Sequence, residues 1–543
     1  MKRKLVIFSV ILVMVVQLLM TGCAGTGKGA VNGNGSDKAK GTELQIGIVA
    51  KGYGSEYVKE MAKAFEKKTG TKVSIVKAVA DASWVGPTLQ AGAQNNDMDI
   101  IIDIRPDAMK DLAASNYLAG YERAYVDLSD IYDSTLEGYK EQKTLEELVD
   151  PYILSSCTWD LEKEGFGDGK QYFISYATGM EGLVYNADLF EKYNLKEPKT
   201  TTEFFALCEK IKTMNGGKYP KNKDGREIYP FTYSGKVDYC SFLTGVWMAQ
   251  YDGMEAYSLA LQGKDAQGLY TAKSLKTEGK LSAYEHISKL ISQKNGYVKT
   301  TDFSQSFTNA QLYFLDEQAF MMVTGDWLEQ EMSSNSVAKG KDIRFMRTPV
   351  NSDIVLKCDS VKTEAQLVEV ISYIDGEVAE RPAYLSEADL ARITEARSLY
   401  HCEGNQHIAY IPAYSNMIEE GKAFLQYMLS KEGQEIMLKY CHGNMAPLNV
   451  DVTQMDFYDE LSALQKSRYD MINSEIGVTW IGKSKAYPMS YVGGITLIGG
   501  GEASFGVVDT SSSYKTPKQL WDEDYEEYAS NWQSLMKKAN VSN

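Results

Sequence analysis

Histidine and cysteine are scarce in this chain, and their scarcity argues against several kinds of chemistry. The 543 residues include only four histidines and seven cysteines. No H-E-x-x-H, H-x-H or C-x-x-C spacing occurs, so the sequence predicts neither a catalytic zinc site nor a metal finger. The P-loop pattern, G-x-S-x-G and a strand-placed G-x-G-x-x-G are absent too. We therefore predict no catalytic residue, no metal and no cofactor.

Six cysteines follow the amino-terminal region, and their wide spacing does not suit a disulfide framework. They are Cys157, Cys208, Cys240, Cys358, Cys402 and Cys441. The expected role is that of small buried hydrophobes. A bridge between Cys402 and Cys441 is the alternative if their strands meet.

Basic residues are also fewer than acidic residues in this chain. Lys and Arg total 57 against 73 Asp and Glu, which gives a formal net charge of −16. Such a surface repels phosphate backbones, and no basic patch interleaved with aromatic residues compensates. Nucleic acid is therefore not an expected partner.

The amino terminus has the pattern of a targeting signal. A basic cluster is followed by an apolar run, Leu5–Met20, and then by Thr21, Gly22 and Cys23. Small residues just before a cysteine resemble a lipoprotein cleavage box, which implies a signal peptide over residues 1–22 and a lipid, palmitate among its acyl chains, on Cys23. An uncleaved membrane anchor is the alternative. Residues 23–41 are glycine-rich without apolar periodicity and are predicted to form a flexible tether.

The first part of the body has a strand, helix, strand order. Leu44–Val49 is a predicted strand, a helix follows Ser55, and Val73–Val76 is the next strand, which favours a parallel pair. The apolar run at residues 98–104 predicts a further buried strand. Because ligands of such sheets bind at the carboxyl ends of the strands, Tyr53 and Asp103 are candidate ligand contacts.

The segment Gln171–Thr202 organises the rest of the chain. Two apolar strands meet at a bend, residues 177–179, so the chain is predicted to cross there from one lobe to another. Asn186 is predicted to cap the next helix, and Thr200 with Glu203 forms a predicted capping box.

Three ordered segments resemble one family. They are residues 171–202, with "YN-x-D-L-F-E-K-x-x-L … P-x-T-x-x-E-F"; Glu317–Leu328, EQAFMMVTGDWL; and Lys422–Leu438, KAFLQYMLSKEGQEIML. This set is similar to the extracellular solute-binding proteins of ABC importers, in their sugar-binding group. Residues 353–400 fall outside the pattern; they are predicted to be helix-rich, with a helix over Ser386–Ser398 capped by Ser386, and have no assigned purpose.

The resemblance implies an α/β fold of the two-lobed periplasmic-binding-protein type II. Each lobe is expected to hold a mixed, mostly parallel sheet flanked by helices, with a hinge between the lobes. Lobe 1 is predicted to comprise residues 42–175 with 408–455, and lobe 2 residues 176–407 with 456–543.

The implied function is that of a monomeric, lipid-anchored binding protein at the outer face of the cytoplasmic membrane. It captures a carbohydrate, an oligosaccharide by expectation, and delivers it to the permease of an ABC importer without bond chemistry. The alternatives are a cell-surface glycan receptor not coupled to transport, a glycan-active hydrolase, and an importer for a peptide, polyamine or metal.

Candidate ligand contacts follow from sugar chemistry. The chain has 36 Tyr and 7 Trp, and aromatic faces stack on sugar rings while polar side chains bond hydroxyls. Each candidate is weighed against core packing or helix capping. The candidates are Tyr53, Trp84 and Asp103 in lobe 1, Tyr176 and Glu181 at the crossing, and Tyr233, Tyr239, Trp247, Asp326 and Trp327 in lobe 2. Trp327 in addition matches a family position that often stacks on ligand.

Overall fold

The structure is a computed structural model. It describes residues 41–92, 98–104, 108–113, 118, 121–140, 142–159, 168–237, 239–338, 340–404, 406–482, 487–497 and 501–543. The predicted signal peptide, Cys23 and nearly all of the predicted tether lie outside these residues.

The described strands and helices are interspersed along the chain. The strands are β1 Glu43–Val49, β2 Lys72–Val79, β3 Ile100–Asp103, β4 Thr158–Trp159, β5 Lys170–Gln171, β6 Ile174–Ser175, β7 Met180–Asn186, β8 Tyr229–Thr232, β9 Ala319–Gly325, β10 Ile343–Phe345, β11 Leu399–Cys402, β12 Ile408–Tyr410 and β13 Thr479–Ile481. The helices are α1 Glu56–Thr69, α2 Val85–Ala91, α3 Ala108–Ala113, α4 Ser129–Tyr132, α5 Leu145–Leu148, α6 Pro151–Cys157, α7 Ala187–Lys192, α8 Thr201–Thr213, α9 Ser241–Asp252, α10 Met254–Gln262, α11 Glu278–Ile291, α12 Phe307–Leu315, α13 Leu328–Met332, α14 Glu364–Ile374, α15 Glu387–Ser398, α16 Ile418–Leu429, α17 Lys431–Tyr440, α18 Ala463–Ile472, α19 Pro488–Tyr491 and α20 Pro517–Ala539.

One sheet, with the helices packed on it, forms lobe 1. Its strand order is β2-β1-β3-β12-β6. β1 pairs in parallel with β2 and β3, as the strand, helix, strand pattern predicts, whereas β12 runs antiparallel to β3 and β6. α1 buries Val58, Met61, Ala62 and Phe65 against this sheet, the face given by their spacing, and ends at Gly70 in the left-handed conformation.

The second sheet forms lobe 2 and has the order β13-β11-β7-β9-β8, with β10 also paired to β7. Both sheets are mixed, as predicted, but among the described strands neither is mostly parallel, and that part of the prediction is wrong. Lobe 1 has two parallel and two antiparallel pairs. In lobe 2 the antiparallel pairs predominate, because β7 runs antiparallel to β9, β10 and β11. β7 starts at the crossing from lobe 1, whereas β9 and β11 end there, so these strands must run in opposite directions.

The crossings between the lobes lie side by side. The chain leaves lobe 1 after β6 and enters β7, and it returns from β11 to β12. The Glu403 N–H donates to the Gly179 carbonyl at 2.8 Å, and Ser175 Oγ donates to the Gly404 carbonyl at 2.8 Å. Gly179 has φ +61°, and a Cβ there would lie 2.6 Å from the His407 ring, so only glycine fits this hinge turn.

Local capping follows the sequence predictions closely. The Asn186 side chain accepts from Leu189 N, and Ser386 accepts from Asp389 N at the start of α15. Thr200 accepts from Glu203 N, but the Glu203 carboxylate accepts from Lys199 N, one residue earlier than a capping box requires.

The stretch predicted to lie outside the family pattern forms a helical elaboration of lobe 2. α14 and α15 enclose a second, small hydrophobic core separate from the main one. Its buried members are Val350, Ile354, Cys358, Val361, Leu367, Val370, Ile371, Leu385, Ile393 and Ala396. This stretch therefore packs as a body of its own against the lobe.

The segment 457–472 does not form one continuous helix. Phe457 has φ 73°, a short 3-10 turn follows, and α18 begins only after Ser462, whose side chain caps it. The long helix α20 packs on lobe 2, where Trp521 Nε1 donates to the Thr277 carbonyl at 2.8 Å. Within the described residues, no helix is long and apolar enough to cross a membrane.

The six described cysteines are buried free thiols, so the Cys402–Cys441 bridge is not formed. Cys402 Sγ contacts the Thr178 carbonyl, whereas Cys441 Sγ lies 4.0 Å from the Tyr53 carbonyl. The two thiols face different neighbours, and the role of small buried hydrophobes is the one observed.

Gly182 provides a test of the packing at the centre of β7. A Cβ at this position would lie 2.3 Å from the Tyr400 hydroxyl oxygen. Gly182→Ala should lower the free energy of unfolding by about 1 to 3 kcal/mol, because both residues are held in the sheet and overpacking strains it. Urea denaturation of the full-length chain measures the change.

Gly245→Ala is the matched control. A Cβ at Gly245, inside α9, meets only the Tyr257 hydroxyl at 3.7 Å, which is an ordinary contact. This substitution should be neutral or stabilising by up to about 1 kcal/mol, because alanine favours the helix. Equal losses in both variants would show that β7 and β11 are not packed as described.

Candidate functional site

The lobes touch through a carboxylate at the hinge. Asp326 follows β9 in lobe 2, and its Oδ1 accepts a hydrogen bond of 2.7 Å from the Tyr53 hydroxyl, which lies in the loop after β1 in lobe 1. Its Oδ2 accepts from the Met180 N–H at 3.1 Å, at the start of β7. One buried side chain thus links both lobes and the crossing between them.

Arg468 of α18 completes this contact. Its Nη1 donates to Asp326 Oδ2 at 2.9 Å and to Asn444 Oδ1 at 3.3 Å. Its Nη2 donates to the Gly443 carbonyl, just after α17, and to the Tyr469 hydroxyl at 2.5 Å. The Arg468 and Asp326 side chains are both 0% exposed. Burial raises the pKa of the Asp326 carboxyl, and the Arg468 charge and the hydrogen bond from Tyr53 oppose that shift.

Aromatic rings surround the carboxylate. On the lobe 1 side, the His407 ring meets Tyr53 edge-on with centroids 5.0 Å apart and Tyr176 at 6.0 Å. From lobe 2, Trp327 lies 6.4 Å from His407 and 5.9 Å from Tyr239. The indole lies flat over Gly325, where a Cβ would be 2.5 Å from its ring, so the glycine makes room for the tryptophan.

A second polar pair borders this region on the lobe 2 side. Glu181 Oε2 lies 3.0 Å from His401 Nδ1 and accepts from the Glu403 N–H at 2.9 Å. The His401 ring packs on Phe242 with centroids 4.7 Å apart. We use the name cleft cluster for the side chains that meet here: Tyr53, Tyr176, Glu181, Tyr239, Asp326, Trp327, His401, His407, Asn444 and Arg468.

Several polar atoms of the cleft cluster have no hydrogen-bond partner among the described residues. They are His407 Nδ1, Asn444 Nδ2 and Arg468 Nε. Burial lowers the pKa of His407 to about 3, so its imidazole is neutral at physiological pH. Buried polar groups are normally paired, and unpaired ones cost free energy. Their concentration at one place between two lobes indicates a position where a ligand supplies the missing partners.

Six of the ten candidates from the sequence meet in the cleft cluster. They are Tyr53, Tyr176, Glu181, Tyr239, Asp326 and Trp327. Tyr53, Tyr176, Glu181 and Asp326 are each no more than 2% exposed, and Trp327 is 7% exposed. The described lobes are therefore closed over these side chains.

The other four candidates lie elsewhere. Trp247 is fully buried in lobe 2, where its Nε1 donates to the Pro349 carbonyl at 3.0 Å. Asp103 accepts from the Tyr410 hydroxyl at 2.6 Å, within the lobe 1 sheet. The Tyr233 hydroxyl is enclosed at Gly506, where a Cβ would be 1.9 Å from it. Trp84 covers Gly47 and carries Lys77 Nζ over its ring at 4.7 Å. We leave these four out of the site proposed below.

Four members of the cleft cluster were not among the candidates from the sequence. His401 and His407 are six positions apart, a spacing that does not suit a metal site and predicts no other role. Asn444 and Arg468 stand in a turn and on a helix, where polar residues usually face water. The position of the histidines at the second crossing was a usable signal, whereas nothing in the sequence marks Asn444 or Arg468.

Two lobes joined by paired crossings and closed over a buried polar and aromatic cluster define the class of two-lobed binding proteins. The chain matches a family model described as bacterial extracellular solute-binding protein over residues 60–466. That match covers well over half of the sequence, so the chain belongs to this family, and the predicted family is confirmed.

Individual relatives are more distant. The chain is 24% identical over 202 residues to a binding protein from Brucella abortus, a match that spans 37% of this chain and only 41% of that relative. It is also 24% identical over 399 residues to a polygalacturonan/rhamnogalacturonan-binding protein, YtcQ, from Bacillus subtilis, which covers 69% of this chain and 70% of that one.

Solved structures confirm the fold. An ABC substrate-binding protein from Listeria monocytogenes in complex with cycloalternan superposes with a TM-score of 0.54 at 12% identity, over 90% of this chain and 98% of that one. The predicted two-lobed α/β fold is therefore correct.

His407 makes the stability of the cleft cluster depend on pH. The buried imidazole has a pKa of about 3, whereas an unfolded histidine has a value near 6.5, so below that pH the unfolded chain binds the extra proton. Stability is lost as pH falls, by up to about 1.4 kcal/mol per pH unit. Between pH 6.5 and about pH 4.5, the wild type should lose up to about 2.7 kcal/mol more than His407→Gln.

Urea unfolding of both proteins at each pH measures this difference. His442→Gln is the control, because His442 is exposed and should leave the wild-type pH dependence in place. Identical pH profiles for wild type and His407→Gln would mean that the His407 ring is accessible to protons in the folded protein.

Proposed function

We propose that this protein is the substrate-binding component of an ABC importer and that it captures an oligosaccharide between its lobes for delivery to the permease. The observation that carries the proposal is the group of unpartnered polar atoms beside the Trp327 ring, where the two lobes meet. Sequence relatives include a protein described as binding polygalacturonan and rhamnogalacturonan, which supports a carbohydrate ligand.

The cleft cluster has the two kinds of group that a sugar requires. Trp327 and Tyr239 offer aromatic faces for the C–H face of a sugar ring. The N–H groups of Asn444 and Arg468 need acceptors, and the neutral His407 offers a ring nitrogen. Sugar hydroxyls both donate and accept, so they satisfy such a mixture, whereas a purely apolar ligand leaves these groups unpaired.

Entry of the ligand requires the lobes to part. Trp327 is 7% exposed, and the Tyr53 hydroxyl closes on Asp326 across the cleft. Rotation about the paired crossings at Gly179 and Gly404 separates these two groups while each sheet stays intact. Periplasmic binding proteins in general close around their ligands by hinge motion of this kind.

A ligand can favour the closed state only if it binds that state better than the open one. Side chains from both lobes must therefore contact it. In the proposed complex, Tyr53 and His407 bind from lobe 1, and Asp326 and Trp327 bind from lobe 2. Sugar hydroxyls then take over part of the hydrogen bonding that Tyr53 and Asp326 give each other in the structure. No bond of the ligand is made or broken in this function.

The proposal includes a lipid anchor. Cys23 lies outside the described residues, and the sequence before it supports cleavage and lipidation at this cysteine. Lipidation would hold a monomeric binding protein at the outer face of the cytoplasmic membrane, within reach of the permease.

Trp327→Ala tests the ligand site. Loss of the stacking face should weaken oligosaccharide binding by about tenfold or more, because one aromatic contact is worth about 1.4 kcal/mol. Isothermal titration of the full-length protein in detergent measures the affinity, after a thermal-shift screen of oligosaccharides has identified a ligand.

Trp521→Ala is the control for this experiment. Trp521 packs on lobe 2 through α20 and does not touch the cleft cluster, so its loss should leave affinity unchanged. If Trp327→Ala binds as tightly as Trp521→Ala, the cleft cluster is not the sugar site. If no oligosaccharide raises the melting temperature, the carbohydrate proposal fails.

Cys23→Ser tests the anchor. In cells fed a labelled fatty acid, the wild-type protein should incorporate label and stay with the membrane fraction, whereas the variant should carry no label. Cys157→Ser is the control, because Cys157 is buried and should leave labelling unchanged. Equal labelling of wild type and Cys23→Ser would rule out lipidation at this cysteine.

A further inference from the structure

A second concave site lies on lobe 2. Two adjoining cavities of about 590 and 630 Å³ share Tyr185, Glu197, Arg344, Asp375 and Arg397. These volumes fall in the range of small-molecule sites. We call this feature the arginine groove. None of its shared residues belongs to the cleft cluster.

The groove lies at the seam between lobe 2 and its helical elaboration. Tyr185 and Arg344 pair across β7 and β10 in the lobe 2 sheet. Asp375 ends α14 and Arg397 lies near the end of α15, on the separate small core. Both walls are thus formed by packed elements and not by loops alone, so the groove is preformed.

Arg397 forms part of the groove wall, and only part of its guanidinium group is hydrogen-bonded. Its Nε and Nη2 donate to the two oxygens of Asp375 at 3.0 and 2.9 Å. The residue is only 8% exposed, and its Nη1 has no hydrogen-bond partner among the described residues. Arg397 lines both cavities, so its buried, unpaired N–H group lies within the wall of the groove.

Two further arginines stand beside it. Arg347 Nη2 is fixed by the Met471 and Gly477 carbonyls, both at 2.9 Å, and by Ser474 Oγ at 2.6 Å. Burial, followed by the charge of Arg397, lowers the pKa of Arg347 to about 10. Arg344 holds Asp342 with Nε and Nη2, at 2.8 and 2.6 Å.

The acids of the groove limit the ligand. Asp375 and Asp342 are occupied by arginines, and Glu197 accepts from the Tyr185 hydroxyl at 2.6 Å. Asp470 and Glu475 stand on the rim and repel a ligand of high negative charge. The carboxylate of a ligand accepts hydrogen bonds from guanidinium N–H groups. Hydroxyl groups of the same ligand can donate to carboxylate oxygens of the groove.

We propose that the arginine groove binds a small ligand that carries one carboxylate together with hydroxyl groups, and that Arg397 Nη1 and Arg344 hold the carboxylate. This site is separate from the cleft cluster and independent of the ligand that binds there. The groove discriminates against neutral polyols, which lack the carboxylate, and against polycarboxylates, which meet the rim acids.

Gluconate, sorbitol and citrate test this specificity. Gluconate and sorbitol share a hydroxylated chain and differ in the carboxylate, and citrate adds further charges. Isothermal titration with the full-length protein should detect gluconate, with sorbitol and citrate at least about tenfold weaker. Absence of gluconate binding at concentrations up to about 10 mM overturns the proposal, as does equal binding of sorbitol.

Two variants locate the binding. Arg344→Gln and Arg397→Lys should each weaken gluconate binding by at least about tenfold, because each removes a guanidinium N–H group from the proposed contact with the carboxylate. If Arg397→Lys fails to fold, the gluconate affinity of Arg344→Gln tests the proposal alone. The Arg344 side chain is 47% exposed, so its loss leaves the core intact.

Arg226→Gln is a closely matched control. Arg226 is also in lobe 2, its side chain is 46% exposed, and it likewise pairs with an aspartate two residues earlier, Asp224. It lines neither cavity, so gluconate affinity should stay at the wild-type value. Trp327→Ala should also leave gluconate binding intact. Loss of binding in Trp327→Ala but not in Arg344→Gln would place gluconate in the cleft and overturn the proposal.

Discussion

The buried carboxylate of Asp326 is the interaction on which the closed arrangement depends. It accepts hydrogen bonds from Tyr53 in lobe 1, from Met180 at the crossing and from Arg468 on α18, which are three parts of the chain far apart in sequence. An unpaired charge of this kind is costly in a dry interior. All three partners must therefore contact Asp326 in the closed state. When the lobes separate, water or a ligand must replace the hydrogen bond that Asp326 and Tyr53 lose.

This constraint also explains why closure is suited to ligand control. A buried ion pair contributes little net stability, because the loss of hydration offsets much of the attraction. The contact between Asp326 and Arg468 therefore contributes more to the relative orientation of the lobes than to the stability of the closed state. The Asn444 and Arg468 N–H groups left unpaired beside it make the closed state incomplete on its own. A ligand that completes their hydrogen bonding adds the missing free energy only when both lobes surround it.

Local features of the fold were predictable, because local residues determine them. The Asn186 and Ser386 caps, the buried face of α1 and the crossing after β6 all depend on side chains within a few positions of each other. The site was predictable only in part. Arg468 and Asp326 are 142 positions apart, and no short sequence pattern predicts their contact. With 36 tyrosines and 7 tryptophans, aromatic identity alone could not separate Trp327 in the cleft from Trp247 in the core. Their neighbours distinguish the two residues. The Trp327 ring lies over Gly325 at the end of β9. Trp247 is a buried residue in the middle of α9.

The cleft cluster and the arginine groove are connected through lobe 2 by strand β7 and by helix α18. β7 begins at the hinge with Met180 and Glu181 and reaches the arginine groove at Tyr185, a run of about 13 Å at the usual rise of a strand. Every residue of β7 is buried, and antiparallel partners on both edges hold it in register. Such a strand transmits a displacement only if the whole sheet moves. Hinge rotation leaves the lobe 2 sheet intact, so the β7 wall of the groove is the same in the open and closed states. Because α18 holds Arg468 against Asp326 and also lines the groove with Asp470 and Met471, this helix contributes to both sites.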